Sequence, residues 1–153
     1  MLEIIIIAIG KIKNDFFAGA IAEYLSRLKP YAAIKIIELA PESFNDSSRE
    51  KSKKTEGERI LSTLEKFNSS DVYLLRERGS EMDSVKFAGQ LDNHPGKTVF
   101  VIAGALGFSE ELFKKYRQLS LSKLTFPHEM ARLILLEQIY RAVTIIKGKT
   151  YHY

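Results

Sequence analysis

The chain has 153 residues, of which 45% are apolar and 27% charged, and this length and composition predict one globular domain over residues 1–153. It contains no cysteine, which excludes disulfides, thiol catalysis and thiolate metal sites. No apolar run reaches the roughly 18 residues of a membrane span, and the apolar N-terminus has an acid at Glu3 and lacks the basic segment of a signal peptide. We therefore expect a cytoplasmic protein with no membrane partner.

The net charge of +4 is unevenly distributed along the chain. Residues 113–153 hold eight Lys or Arg against Glu129 and Glu137, whereas acids outnumber bases over residues 1–112. This asymmetry is typical of a protein with a polyanionic partner, although a solvated basic surface accounts for the charge equally well.

The first half of the chain predicts two strands and two helices. Residues 2–9 are a continuous, β-branched apolar run, as in a parallel strand that is covered on both faces. Asn14 or Asp15 can cap the helix that follows, and Pro30 ends it. The segments predicted next are a helix over residues 15–28, a strand over 33–39, a polar, mobile loop over 41–54 that can include helical turns, and a helix over 55–67.

The second half predicts a further alternation of strands and helices. Asp83 and Ser109 stand where helix caps are expected, and Pro95 with Gly96 marks a turn. The predicted segments are a strand over residues 71–75, a loop over 76–80, a short helix from Asp83, a strand over 98–103, a helix after Ser109, a short strand over 119–122 and a long helix over 127–147 that ends at Gly148.

Strands that alternate with helices predict an α/β fold with a largely parallel sheet. Ligands of such sheets bind outside the carboxyl ends of the strands. Three loops follow predicted strands, namely residues 75–79, 103–107 and 121–126. We therefore expect these loops to converge on one candidate site.

Two of these loops also have plainer interpretations. Gly104 and Gly107 let the backbone approach a ligand, but the segment matches neither the dinucleotide fingerprint nor the P-loop, and a tight turn also explains it. Residues 121–126 offer two hydroxyls and free backbone groups before Pro127. An ordinary connection in which Thr125 helps to cap the next helix has the same composition.

The last predicted helix is apolar over most of its circumference, so we expect it to be buried in the core or against a second subunit. Glu137 and Arg141 are spaced i,i+4, which is also the spacing of a purely structural salt bridge. The residues Tyr-His-Tyr at positions 151–153 follow this helix after a short connection, Gly148 to Thr150. They are either functional or a disordered tail.

Three segments of the second half carry a resemblance to one family: FVIAGALGFSEE, LSLSKLTFPHEMARLILLEQIYRA and IIKGKTYHY. Over essentially its whole length the chain resembles the RlmH family of bacterial ribosomal RNA methyltransferases, which belong to the SPOUT class. The resemblance implies a SPOUT-type knotted α/β fold, in which helices flank a mainly parallel sheet and the C-terminal end forms a trefoil knot. It also implies a homodimer that uses S-adenosyl-L-methionine to methylate N3 of a pseudouridine in 23S ribosomal RNA on assembled ribosomes, with no DNA partner.

The resemblance assigns roles to individual residues. The positions implied to bind S-adenosylmethionine are Leu75, Ala103, Gly104, Leu121, Ser122, Lys123, Leu124, Thr125 and Phe126. The polar positions implied near the methyl acceptor are His128, Arg141, Tyr151 and His152. Ala103 departs from the family pattern, since many relatives have glycine there. No metal site is predicted, because the three histidines are scattered along the sequence and no acidic cluster joins them.

Two alternatives come from other readings of the same residues. The first is a non-catalytic ribosome- or RNA-binding protein that keeps the fold and the basic surface, which need not bind the cofactor. The second is a SPOUT methyltransferase that acts on transfer RNA. The sequence has no separate RNA-binding domain, which favours a substrate that presents a large surface of its own.

Overall fold

The computed structural model describes residues 1–68 and 70–153, and its strands form a single parallel sheet. In chain order the strands are β1 (Leu2–Ile9), β2 (Ala32–Leu39), β3 (Asp71–Ser80), β4 (Thr98–Ile102) and β5 (Arg117–Leu119). The helices are α1 (Asp15–Leu28), α2 (Arg49–Leu64), α3 (Ser84–Asn93), α4 (Glu110–Lys115) and α5 (His128–Ile146), and a short 3₁₀ turn (Glu65–Phe67) follows α2. The spatial order of the strands is β2-β1-β4-β3-β5.

Strand β1 lies near the centre of the sheet, between β2 and β4, and its residues 4–9 are all buried. Its β-branched side chains alternate between the two faces of the sheet. Ile4 and Ile6 pack with residues of α1, α3 and α5, whereas Ile5 and Ile7 pack with residues of α2 and α4. The prediction of a parallel strand that is covered on both faces is thereby confirmed.

Helix α2 is longer than predicted, because it begins at Arg49 and not near residue 55. The turn before it is fixed by Asn45 and Ser48, each of which accepts a hydrogen bond from the backbone N–H of the other with its side chain. The first turns of α2 bury Ser52 and Glu56 in place of apolar residues. Because the buried side chains of these turns are polar, no apolar residues recur there at the helical spacing by which a helix is predicted. The predicted loop over residues 41–54 therefore ends at residue 48.

Strand β3 is also longer than predicted, since it continues through the expected loop to Ser80. Its pairing with β5 is irregular between Leu75 and Ser80, where extra residues bulge out of register. At Gly79 the two strands approach so closely that an added Cβ would lie 2.7 Å from backbone atoms of Leu119. Strand β5 correspondingly lies at Arg117–Leu119, two residues earlier than predicted.

The ends of α5 are close to the predicted ones. Pro127 immediately precedes the first helical residue, and Gly148 has a φ of +61°, the left-handed conformation that commonly follows a helix. The trefoil knot implied by the resemblance stays a prediction. In the described part of the chain, no helix is both long and apolar enough to cross a membrane.

Candidate active site

A cavity of about 810 Å³ opens at the carboxyl end of β4, beside residues 75–77 of β3 and the loop after β5. The predicted convergence of the three segments is confirmed, since residues from all of them line this cavity, although residues 75–77 lie within β3 and not in a loop. Eight of the nine positions implied to bind the cofactor are among the lining residues, namely Leu75, Ala103, Gly104, Leu121, Ser122, Leu124, Thr125 and Phe126.

The ninth position, Lys123, lies outside the lining. Its side chain is 81% exposed, and its Nζ lies 3.7 Å from a carboxylate oxygen of Glu81. Both neighbours in the sequence face the cavity while Lys123 points to solvent. An exposed pair of this kind contributes little to stability, so the side chain is free to meet another anion.

The loop after β4 forms one wall of the cavity with a tight turn. The backbone N–H of Gly107 donates to the carbonyl of Gly104 at 3.1 Å, and Gly107 has a φ of +74°. An added Cβ at Gly104 would lie 3.0 Å from Cγ2 of Ile9, so a side chain there would require Ile9 to move. The tight-turn interpretation is confirmed, and the same turn borders the cavity.

The loop over residues 121–126 forms a second wall. Ser122 Oγ accepts a hydrogen bond from the backbone N–H of Leu124 at 3.1 Å. Within this fully described loop, no backbone group bonds to another backbone group. Unpaired peptide groups beside a cavity must be satisfied by water or by a ligand, and they give a means to recognise the polar edges of a base or ribose.

His128 begins α5 and lines the cavity. Its ring lies against Gly10, which has a φ of +97° and where an added Cβ would be 3.3 Å from Cε1 of the ring. The Nδ1 atom of His128 is buried and has no hydrogen-bond partner among the described residues. A ring nitrogen without a partner beside a cavity can accept a proton or a hydrogen bond from a ligand.

The start of α5 is fixed by two carboxylate contacts. Glu129 Oε1 accepts hydrogen bonds from the backbone N–H of Asn14 at 3.0 Å and of Lys13 at 2.8 Å. These bonds lower the pKa of Glu129, with that from Asn14 contributing most. One turn later, the buried Arg132 donates to Glu38 at 2.8 Å and to the carbonyl of Gly10 at 3.2 Å. The position of His128 therefore depends on the loop after β1.

Arg141, Tyr151 and His152 form a second cluster at the other end of α5. The predicted ion pair between Glu137 and Arg141 is confirmed, with Arg141 Nη2 lying 2.6 Å from Glu137 Oε1. The Tyr151 hydroxyl donates to Glu137 at 3.1 Å, and Nη1 of Arg141 lies 3.4 Å from Nδ1 of His152. The segment after α5 is thus held against the helix by hydrogen bonds.

The protonation states within this cluster are fixed by its hydrogen bonds. The pKa of Tyr151 is raised well above its usual value by its hydrogen bond with Tyr24, by burial and by the charge of Glu137. The pKa of Arg141 is raised by its hydrogen bond to Glu137, so the guanidinium is a permanent cation. At neutral pH the phenol is protonated, and the positive charge of Arg141 is paired with Glu137.

Tyr24 and Arg27 of α1 belong to the same cluster and were missed by sequence reasoning. The Tyr24 hydroxyl lies 3.5 Å from that of Tyr151, and the Arg27 guanidinium lies 5.6 Å from the centre of the Tyr24 ring and 5.8 Å from that of Tyr140. The sequence pattern places Tyr24 on the apolar side of α1 and assigns no role to Arg27. Only the packing of α1 on α5 brings them to the cluster.

The two groups of polar residues lie far apart within one chain. His128 and Arg141 are thirteen residues apart on one helix, a separation of about 20 Å at 1.5 Å per residue. The structure brings the cavity residues together with His128, and it brings Arg141 together with Tyr151 and His152. It does not join the two groups.

Residues 2–152 match the family described as "Predicted SPOUT methyltransferase". The chain belongs to the SPOUT methyltransferase family. The fold is similar to that in the solved structure of a probable methylase family protein from Haemophilus influenzae Rd KW20, which superimposes with a TM-score of 0.55 over 95% of this chain and 66% of that one. The two sequences are 17% identical, so this likeness concerns the fold alone.

Two curated relatives are similar over nearly their whole length, and each is named "Ribosomal RNA large subunit methyltransferase H". The protein from Carboxydothermus hydrogenoformans is 43% identical, with 99% of both chains covered. The protein from Kosmotoga olearia is 42% identical, with 94% of this chain and 95% of the relative covered.

Proposed function

We propose that residues 1–153 form one methyltransferase domain that uses S-adenosylmethionine to methylate N3 of a pseudouridine in 23S ribosomal RNA on assembled ribosomes. The observation that carries the proposal is the cavity at the strand ends, lined by the loops that the resemblance assigns to the cofactor. The names of the full-length relatives support the choice of ribosomal RNA over other acceptors.

The cavity suits the proposed cofactor in its chemistry as well as its size. Leu75, Ile102 and Phe126 offer an apolar surface for a nucleoside base. The unpaired peptide groups of residues 121–126 offer donors and acceptors for its edges. When bound, S-adenosylmethionine supplies an electrophilic methyl group on a sulfonium sulfur.

In such a transfer the protein must align the acceptor with the methyl group and accept the proton that the acceptor loses. The N3–H group of pseudouridine is weakly acidic, and it must lose its proton as nitrogen attacks the methyl carbon. His128, whose Nδ1 is buried beside the cavity without a partner among the described residues, is our candidate proton acceptor. Arg141 is our candidate for stabilising the negative charge that develops on the base.

These roles require His128 and Arg141 at one site, although they lie about 20 Å apart along α5. We therefore propose a homodimer in which the cavity of one subunit faces the Arg141 cluster of its partner. The half-buried apolar side chains of α5, including Leu133 and Ile134, support this arrangement, since they remain partly exposed in a single chain. A two-fold axis across α5 would complete two equivalent sites.

Recognition of RNA by this dimer would rest on the basic C-terminal third. Lys147 and Lys149 are exposed after α5, and Arg27 lies beside the Arg141 cluster. Tyr153 is fully exposed and could stack on an extruded base. Phosphate contacts by such lysines supply affinity without sequence preference, so the target would be selected by the shape of the ribosome.

The decisive experiment measures transfer of labelled methyl from S-adenosylmethionine to four acceptors that lack the modification: ribosomes, separated subunits, free ribosomal RNA and bulk transfer RNA. We expect label on assembled ribosomes, with the methyl group on N3 of a pseudouridine by mass spectrometry. Label on transfer RNA would instead support the alternative target. Absence of both methyl transfer and cofactor binding would favour the non-catalytic alternative.

A further inference from the structure

Glu56 is a buried carboxylate that the proposed mechanism does not use. It lies on α2, it is 3% exposed, and its Oε2 accepts a hydrogen bond from the backbone N–H of Glu42 at 2.9 Å. Its second oxygen, Oε1, is buried and has no hydrogen-bond partner in the described part of the chain. An unsatisfied buried carboxylate oxygen is costly, so its retention calls for a donor that the protein itself does not provide.

The unpartnered oxygen faces the cavity wall. It lies 3.9 Å from the position that a Cβ on Gly104 would occupy, and Gly104 lines the cavity. Glu56 is not itself a lining residue, and Gly104 is the lining residue that this oxygen approaches. One helical turn before Glu56, Lys53 lines the cavity, with an acidic neighbour, Glu50, at 3.7 Å.

The α2 side of the cavity therefore offers an acid and a base close together on one helix face, at the spacing i,i+3. The lining also carries charge at Arg76 and Glu77 of β3 and at Glu110 of α4, whereas Leu121 and Ala131 are apolar. A ligand with a neutral nucleoside at one end and a zwitterion at the other would place its zwitterionic end beside Lys53 and Glu56.

We propose that Glu56 and Lys53 bind the α-amino-acid end of the cofactor, with Glu56 Oε1 accepting from its ammonium group and Lys53 Nζ donating to its carboxylate. The inference rests on the proposed function, because it assumes that the cavity holds S-adenosylmethionine. It adds a specific role for α2, a helix outside the three loops and outside α5.

The test compares three ligands by calorimetry on the purified full chain. S-adenosylmethionine has both charged groups, its decarboxylated form keeps only the ammonium, and methylthioadenosine has neither. We expect Glu56→Gln to weaken binding of the first two ligands about tenfold or more, as for the loss of a hydrogen bond to a charged group, and to leave methylthioadenosine unchanged. Lys53→Met should weaken S-adenosylmethionine alone.

Glu58→Gln and Lys54→Met serve as matched controls, since both residues are exposed on α2. Thermal unfolding of each variant separates loss of binding from loss of folding. Equal weakening of all three ligands by Glu56→Gln would overturn the inference, because it would mean that Glu56 only supports the cavity wall. Unchanged affinity for all three would overturn it as well. If the wild-type protein bound none of them, the proposed function itself would fail, and the inference with it.

Discussion

Gly10 links the backbone of the first loop to the chemistry of the cavity. Its φ of +97° is a conformation that glycine adopts readily and other residues adopt rarely. The His128 ring lies where a side chain at position 10 would be. We expect Gly10→Ala to lower the free energy of unfolding by about 1–3 kcal/mol through backbone strain. The displaced His128 ring should also reduce methyl transfer. Urea unfolding and the ribosome assay measure the two effects.

Gly19→Ala is the control for this substitution. Gly19 lies on α1 with nothing within 4 Å of an added Cβ, so alanine should raise the free energy of unfolding there by about 0.4–1 kcal/mol. Equal stability of the Gly10→Ala variant and the wild-type protein would contradict the proposed strain.

At the level of elements, Glu129 fastens the start of α5 to the loop that precedes α1. Its lowered pKa means that the folded state favours the carboxylate, with nearby His128 and Arg132 adding to this preference. The resulting stability is present above the pKa of the unfolded chain and is lost as the pH falls through the lowered pKa of the folded chain. We expect Glu129→Gln to destabilise the protein at neutral pH.

The pH dependence distinguishes this electrostatic effect from simple loss of packing. The difference in unfolding free energy between the wild-type protein and Glu129→Gln should shrink as the pH falls below the ordinary range for a glutamate. Denaturant unfolding at a series of pH values measures it, with Glu58→Gln as an exposed control on α2. A difference that stayed constant from neutral to acidic pH would rule out the carboxylate as its cause.

The segment after α5 is a second element whose role is separable from cofactor binding. Removing residues 151–153 deletes the Tyr151 ring, which lies 4.9 Å from that of Tyr140, and the hydrogen bond to Glu137. We expect methyl transfer to be abolished, since His152 and Tyr151 belong to the Arg141 cluster. Binding of S-adenosylmethionine should persist, because the cavity lies at the other end of α5. Full activity in the truncated protein would remove this segment from the mechanism.

The order of the elements was accessible from sequence because strands such as β1 have a continuous apolar run and helices such as α1 have a capping residue, Asn14. The beginning of α2 could not be predicted from the sequence. Its buried face contains Ser52 and Glu56, so apolar residues do not recur there at the spacing of a helix. The same property hid Glu56 as a candidate for ligand binding. The loops of the cavity followed from strand ends, whereas Tyr24 and Arg27 needed the packing of α1 on α5.

At the scale of the whole molecule, the proposed dimer predicts that two different inactive variants can restore each other. Ala103→Trp should fill the cavity, and removal of residues 151–153 should disable the Arg141 cluster. Mixed dimers would contain one site in which both parts are intact, so random exchange of subunits should return about a quarter of wild-type activity. Methyl transfer after co-refolding of the two variants measures this recovery.

Light scattering at micromolar concentration provides the accompanying control. We expect a mass twice that of the 17.4 kDa chain. No recovery of activity from a mixture that contains mixed dimers would mean that each site is built within one subunit.

The contacts of α5 and the segment after it with the loop after β1 and with α1 also determine when folding can finish. Glu129 bonds to Lys13 across 116 positions, Arg132 bonds to Gly10 across 122, and Tyr24 meets Tyr151 across 127. Contacts of such long sequence separation form slowly. A chain synthesised only as far as residue 127 has β1 and α1 without the helix that covers Ile4 and Ile6. During translation only α1 and α3 can cover this apolar face until α5 has left the ribosome, so we expect the nascent chain to expose part of it and to be prone to aggregation.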